Sequence, residues 1–167
     1  MAIHPVFIHF HTGILAASAV LAMINLLLRF MFKDNIRTPG TRLARLFHQI
    51  DVFMYIGIII GFIGLVAGAV TGFMEPDYSL AALESSSIMR FKILWSVISI
   101  EIYFFLMIVR AKLGDRIWVG AGSSLIYGIP IIIGGGLMVL IAALGGLAVY
   151  GESIMQPIFD WIGIPWP

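Results

Sequence analysis

Residues 46–73 read LFHQIDVFMYIGIIIGFIGLVAGAVTGF and contain a single charged side chain, that of Asp51. A helix needs about 20 mainly apolar residues to cross a hydrocarbon core about 30 Å thick, and this stretch exceeds that length. Backbone N–H and C=O groups find no water inside a bilayer, so a spanning segment must pair them internally as a helix. We therefore predict a transmembrane helix over about residues 46–73.

Three further apolar stretches predict transmembrane helices at about residues 5–32, 88–109 and 125–150. The first has no Lys or Arg before Arg29 and is longer than the apolar part of a signal peptide, so we interpret it as a retained helix. The chain is 60% hydrophobic and only 11% charged, against about 25% charged in soluble domains. This composition excludes a cytosolic enzyme and a nucleic-acid-binding protein. The prediction is one all-α domain over residues 1–167, a bundle of four transmembrane helices.

The basic residues predict the orientation of these helices. Five lie between the first and second helices and three between the third and fourth, which makes eight of the ten: Arg29, Lys33, Arg37, Arg42, Arg45, Arg110, Lys112 and Arg116. Loops rich in Lys and Arg face the cytoplasm, so both chain ends are predicted on the outer side of a prokaryotic plasma membrane. Residues 151–167 contain Trp161 and Trp166 and are expected to lie along the outer interface, where Trp is favoured.

Glycines form a stripe along one face of the second helix: Gly57, Gly61, Gly64, Gly68 and Gly72. Small residues let helix backbones approach closely, which is a main source of attraction between helices in lipid. The stripe has two interpretations. It packs tightly inside one bundle, or it docks another membrane subunit or leaves room for a flat cofactor.

Four histidines are the candidate cofactor ligands. His4, His9 and His11 lie at the start of the first helix, whereas His48 lies at the opposite end of the second. In a continuous helix His4 and His11 share a face and His9 points nearly opposite to His11, so the three cannot meet at one metal ion. One haem cannot join His48 to His9 or His11 within a chain. A b-type haem on His9 or His11 then needs a Met as its second ligand, a second chain, or five-coordinate iron.

A second group of polar residues is expected inside the membrane. Glu101 lies near the middle of the third helix, where a carboxylate costs about 3 kcal/mol, so we expect it to face the bundle interior. Asp51 lies one turn from His48 and can share its helix face, and Asn25 and Tyr55 lie at a similar depth. These residues form either a polar track toward Glu101, which carries protons to a quinone or redox site, or a set of hydrogen bonds between helices.

The motifs of a self-contained enzyme are missing from the sequence. It contains no phosphate-binding GxGxxG or Walker A loop and no HExxH zinc motif. Cys is also absent, which excludes disulfides, iron–sulfur clusters and c-type haem attachment. We therefore expect at most a role as one subunit of an oxidoreductase.

Three short motifs resemble parts of a known family. Residues 4–10 read HPVFIHF, residues 69–73 read AVTGF and residues 145–150 read GGLAVY. In order and spacing they resemble the HPxxxHF opening, the TG-containing turn and the closing GGxxVY motif of the DUF2231 family of four-helix membrane proteins. The resemblance implies an outer histidine site that joins helices one, three and four and suits b-type haem or a metal. Two of the family's histidines are replaced, near Arg90 and at Ala143, which leaves His9 and His11 of that site.

These observations leave three functions open. The favoured one is a membrane subunit of a larger redox complex, similar to a cytochrome b, with b-type haem near His9 or His11 and electron transport to a quinone. The second is an accessory subunit without a cofactor, whose glycine faces pack against partner subunits. The third, a small transporter or proton path that uses Glu101, is ranked last because no inverted repeat supports it.

Overall fold

A computed structural model describes the backbone of residues 4–38, 40–74 and 87–150, and the side chains of residues 10–36, 38, 40–72, 74 and 89–144. The helices in these ranges are α1 (His4–Met31), α2 (Lys33–Arg37), α3 (Arg42–Phe73), α4 (Ser87–Leu113) and α5 (Ala121–Tyr150), and a 3₁₀ segment (Gly114–Trp118) follows α4. Within the described ranges α1, α3, α4 and α5 are long and apolar enough to cross a membrane. The all-helical architecture with four candidate spans is therefore confirmed, whereas the orientation stays a prediction. The predicted interfacial tail, residues 151–167, lies outside the described residues.

Three of the spans are longer than predicted, all at the same end of the bundle. This end, where α1 meets α2 and α4 meets the 3₁₀ segment, is called the basic end below. There α3 begins at Arg42 instead of residue 46, α4 continues to Leu113 instead of 109, and α5 begins at Ala121 instead of 125. Apolar length measures only the part of a helix that lies in lipid, and charged residues can continue the helix beyond it.

Local chemistry explains two of these helix ends. The Thr41 side chain caps α3 by accepting a hydrogen bond of 3.1 Å from the backbone N–H of Ala44, which satisfies one of the unpaired donors of the first turn. Gly114 follows the last residue of α4 with a φ of 53°, a left-handed conformation in which glycine has no steric penalty. The chain therefore turns directly from α4 into the 3₁₀ segment.

The four long helices form a ring. α1 packs against α3 and α5, and α4 closes the ring by packing against α5 and, less extensively, against α3. The interior is filled by large apolar side chains, among them Leu15, Met54, Leu106, Ile131 and Met138, each fully buried. The outer surface is also apolar, with exposed Ile and Leu side chains on every long helix and exposed Phe on α1, α3 and α4. A surface of this kind fits contact with lipid better than contact with water.

The glycine stripe of α3 lies against α1. A Cβ atom added at any of four positions would contact an α1 side chain more closely than packing allows: Gly57, Gly61, Gly64 and Gly68. The α1 residues in question are Ser18, Leu15 and His11, and Gly72 is buried as well. The expectation that this face docks another subunit is therefore wrong for those four glycines, because a helix of the same chain already occupies it.

α1 approaches α5 equally closely on its other side. A Cβ atom on Gly135 would collide with the Cβ of Ala19 and lie 3.2 Å from the backbone oxygen of Leu15. Neither of these atoms is the end of a flexible side chain, so the two backbones would have to move apart. The neighbouring Gly136 has no atom within 4 Å of an added Cβ and is exposed.

The pair Gly135 and Gly136 gives a test of this packing. We expect Gly135→Ala to lower the free energy of unfolding by about 1–3 kcal/mol, because the added methyl group overpacks the interface of α1 and α5. The matched control Gly136→Ala adds the same methyl group at an open position and should leave stability unchanged or slightly raised. Unfolding in mixed micelles, followed by circular dichroism, measures both. Equal effects of the two substitutions would contradict the packing.

Candidate functional site

A buried ion pair connects α3 and α4 at the basic end. The Asp51 side chain is 2% exposed, and its Oδ2 accepts a hydrogen bond of 2.6 Å from Nη2 of Arg110. Its other oxygen, Oδ1, accepts a bond of 2.8 Å from Nε1 of Trp118 in the 3₁₀ segment. Both carboxylate oxygens therefore have strong donors, which a charge removed from water requires.

Arg110 makes three further contacts. One guanidinium nitrogen, Nη1, donates to the backbone oxygen of Gly114, and Nη2 also donates to Oδ1 of Asp115 at 3.0 Å. The guanidinium carbon lies 5.6 Å from the centre of the Tyr55 ring, a distance typical of a cation–π contact. Arg110 thus fixes the chain that follows α4 as well as the contact with α3.

Arg29 brings α1 into the same arrangement. It is buried, and its Nε and Nη2 atoms donate to the backbone oxygens of Trp118 at 2.6 Å and Val119 at 2.7 Å. Trp118 also packs edge-on against the rings of Phe47 and Tyr127, at centroid distances of 5.4 Å and 5.8 Å. We call Asp51, Arg110, Trp118 and Arg29 the Arg110 cluster. It joins every long helix at this end of the bundle.

The sequence interpretation found only part of this cluster. Asp51 and Tyr55 were expected at this depth, and both lie there, but Arg29 and Arg110 were counted as loop cations and Trp118 was not considered. One signal was available. A carboxylate within an apolar span needs a cation; Arg29 lies inside the predicted first span, and Arg110 directly follows the predicted third span.

His48, Asp51 and Asp115 lie close enough to suggest a metal site, with one potential ligand atom of each within 4.8 Å of the others. His48 and Asp115 are exposed, whereas Asp51 is buried. Nη2 of Arg110 already contacts a carboxylate oxygen of each aspartate. A metal ion at this point would have to displace the guanidinium of Arg110 or lie next to its positive charge. We therefore interpret the group as an ion-paired cluster.

The histidines of α1 do not meet His48. The His11 side chain is 4% exposed and lies against Gly64 and Gly68 of α3. Sixteen residues separate His48 from Gly64, which corresponds to roughly 24 Å along the helix. The side chains of His4 and His9 lie outside the described residues.

The surroundings of His11 do not fit a haem between α1 and α3. A Cβ atom on Gly64 would lie only 2.7 Å from the Cβ of His11, and one on Gly68 would lie 3.0 Å from its Cε1. The two helices are in direct contact here. A porphyrin between them would need a gap as wide as the thickness of its ring. The contact of α1 with α3 therefore leaves no room for haem beside His11.

Glu101 is exposed on the outside of the bundle, so the expectation that it faces the interior is wrong. The inward face of α4 is formed by Ser99, Tyr103, Leu106 and Arg110, all buried. Each helical residue is rotated by about 100° from the one before it, so Glu101 lies nearly opposite the residues at 99 and 103. The expected polar track from His48 and Asp51 toward Glu101 is therefore not formed inside the bundle.

Asn25 is fully buried but does not join the Arg110 cluster. Neither its amide nitrogen nor its amide oxygen has a hydrogen-bond partner among the described residues, and the same holds for the hydroxyl groups of Tyr103 and Tyr127. Buried polar atoms in native proteins nearly always have a partner, which can be an ordered water. The expected grouping of Asn25 with Asp51 and Tyr55 thus reduces to Asp51 and Tyr55, both in contact with Arg110.

Comparison of the chain with family models, with curated proteins and with solved structures found no match. The resemblance of residues 4–10, 69–73 and 145–150 to the DUF2231 family therefore stays a prediction. Of the two histidines that remain of the implied outer site, the side chain of His11 is described and that of His9 lies outside the described residues.

Two aspartates that bond to the same nitrogen of Arg110 give a matched test of the cluster. We expect Asp51→Asn to lower the free energy of unfolding by about 3 kcal/mol, because Arg110 would remain buried without its main counter-charge. Asp115→Asn removes the same charge from a side chain that is 78% exposed and should cost less than about 1 kcal/mol. Unfolding of both variants in mixed micelles measures the difference. Similar costs would mean that the buried pair does not organise the basic end.

Proposed function

We propose that the chain is a subunit of a larger membrane assembly and binds a helix of another subunit through the outer face of α4. The observation that supports this is the position of Glu101. It lies twelve residues from both Met89 and Leu113, so roughly 18 Å of helix separates it from either. If α4 crosses a bilayer, the carboxylate lies near the middle of the hydrocarbon core.

Contact with lipid at that depth is unfavourable. A carboxylate near the centre of a transmembrane helix costs about 3 kcal/mol, even on the most lenient scale, and such groups usually face a protein interior or a partner. Glu101 faces neither within the described part of this chain, because it is exposed. A partner helix that offers a hydrogen-bond donor to the carboxylate removes this cost.

The residues around Glu101 form a pattern that suits a second helix. Exposed side chains occur at alternating steps of three and four residues, and we call them the α4 seam: Leu94, Val97, Glu101, Phe104 and Ile108. This spacing is that of the contact positions in paired helices, where a single polar residue selects the register and the partner. Only 22% of the most apolar part of α4 is buried, against 39% in α1 and in α5, so α4 has the largest surface left to cover.

The partner is proposed to be a different chain. A second copy of this chain, paired through the same seam, would place two Glu101 carboxylates opposite each other, and like charges at close range repel. A different helix with a Lys, Arg, Ser, Thr or Asn side chain at this level provides a donor instead. Van der Waals packing of the apolar seam side chains against the partner helix provides the rest of the contact.

This proposal is closest to the accessory subunit among the functions that the sequence left open. It differs in the surface used, because the α4 seam takes the place of the glycine stripe. The orientation with both chain ends outside a prokaryotic plasma membrane is part of the proposal, and the basic residues Lys33, Arg45, Lys112 and Arg116 near one end of the bundle support it. A role in electron transport with b-type haem or a quinone has no supporting observation among the described residues.

Site-specific photo-crosslinking in native membranes tests the proposal. A benzophenone amino acid at Phe104 should give one discrete adduct with another membrane protein, and Glu101→Ala should remove most of that adduct. Glu101→Gln keeps a hydrogen-bonding group and should retain it in part. The same probe at Ile63 of α3 and Ile126 of α5, which are each 61% exposed, should give no discrete adduct because these positions face lipid.

Three outcomes would contradict the proposal. The first is the absence of a discrete adduct at Phe104, and the second is an adduct whose yield does not change in Glu101→Ala. The third is an adduct with twice the mass of this chain, which would identify a self-dimer instead of a different subunit. Circular dichroism of the purified variants controls for loss of the fold.

A further inference from the structure

A cavity of about 310 Å³ opens at the basic end between the end of α1 and the start of α5. Its walls are formed by Arg29, Phe30, Lys33, Val119 and Ala121. The cavity is separate from the α4 seam, and it shares only Arg29 with the Arg110 cluster. Two of its five lining residues carry a positive charge, which makes it a candidate site for an anion.

The two cations differ in how they are held. Arg29 is buried, and two of its nitrogen atoms donate to the neutral backbone oxygens of Trp118 and Val119. These bonds hold the guanidinium at the wall of the cavity. Lys33 is exposed at the start of α2, where its flexible side chain can adjust to a ligand.

The position of the cavity relates it to the membrane boundary. The candidate span in α1 ends at Met31, and the one in α5 begins at Ala121, so the cavity lies where hydrocarbon meets the lipid headgroups. Phe30 and Val119 are 51% and 60% exposed and add apolar surface beside the two cations. Ala121 opens α5, and the first turn of a helix has backbone N–H groups without helical partners, which favours anions.

We propose that this cavity binds the headgroup phosphate of an anionic phospholipid. Arg29 and Lys33 contact the phosphate, and Phe30 and Val119 lie against the upper part of the acyl chains. Basic pockets between transmembrane helices at the membrane surface bind anionic lipid headgroups in this way. A free phosphate ion would share the contacts with Arg29 and Lys33 but would make no use of the apolar side of the cavity.

Thermal unfolding of the full chain in detergent micelles with added lipid tests this site. Phosphatidylglycerol should raise the midpoint temperature in a saturable way, whereas phosphatidylcholine and inorganic phosphate should not. Lys33→Gln should weaken the apparent affinity for phosphatidylglycerol about five-fold, the effect of one basic residue near an anionic surface. The matched control Lys112→Gln removes a charge from an exposed residue at the same end that does not line the cavity, and its affinity should equal that of the unaltered chain.

A second variant tests the cavity without a change in charge. Ala121→Trp fills the space beside Arg29 and should abolish the specific effect of phosphatidylglycerol. If this variant does not fold, Ala121→Leu serves the same purpose with a smaller side chain. Equal responses to phosphatidylglycerol and phosphatidylcholine would overturn the proposal, and so would equal affinities of Lys33→Gln and Lys112→Gln. An equal response to inorganic phosphate would assign the site to the free ion and overturn the lipid as its ligand.

Discussion

Asp51 places a carboxylate inside an apolar helix, and the structure of the basic end follows from the need to compensate that charge. Arg110 and Trp118 take one carboxylate oxygen each. Trp118 can reach Asp51 only because Gly114 turns the chain directly after α4, with a φ of 53°. Arg29 then binds the backbone of the same segment. The contacts of Asp51, Arg110 and Arg29 thus bring α1, α3, α4 and the segment after α4 together, and Trp118 adds α5 through the ring of Tyr127.

Above this layer the bundle depends on close packing of α1. His11, Ser18 and Asn25 lie seven residues apart and are all buried, so they mark one face of the helix. Ser18 satisfies its hydroxyl group by donating to the backbone oxygen of Ile14. The glycines of α3 leave room for His11 and Ser18, and Gly135 of α5 does the same for Ala19. The polar residues of α1 and the glycines of α3 and α5 therefore belong to one close-packed interface.

The sequence predicted the spans and the close-packed stripe well, because both depend on local composition. It also put Asp51 and Tyr55 at a similar depth, since two residues on one helix are related by its periodicity alone. It could not predict which way α4 is rotated. In a membrane protein both the lipid-facing and the buried side chains are apolar, so the hydrophobic pattern that marks the inward face of a soluble helix is weak. The only reason to expect Glu101 in the interior is the free-energy cost of a carboxylate in hydrocarbon. That cost shows that the carboxylate needs a partner, but it does not show on which side of α4 the partner lies.

The free-energy cost of a carboxylate in lipid is also the reason why the exposed position of Glu101 supports a partner outside the bundle. Among the described residues α1 is in contact with α3 at His11, and Arg110 lies between the two aspartates. Two features of the surface suit a binding partner. Glu101 projects from the helix whose apolar part is least buried, and Arg29 and Lys33 line a cavity at the boundary of two spans. Charged groups inside a membrane usually lie next to a partner of suitable chemistry, and both proposals therefore assign the role of the chain to what binds its surface.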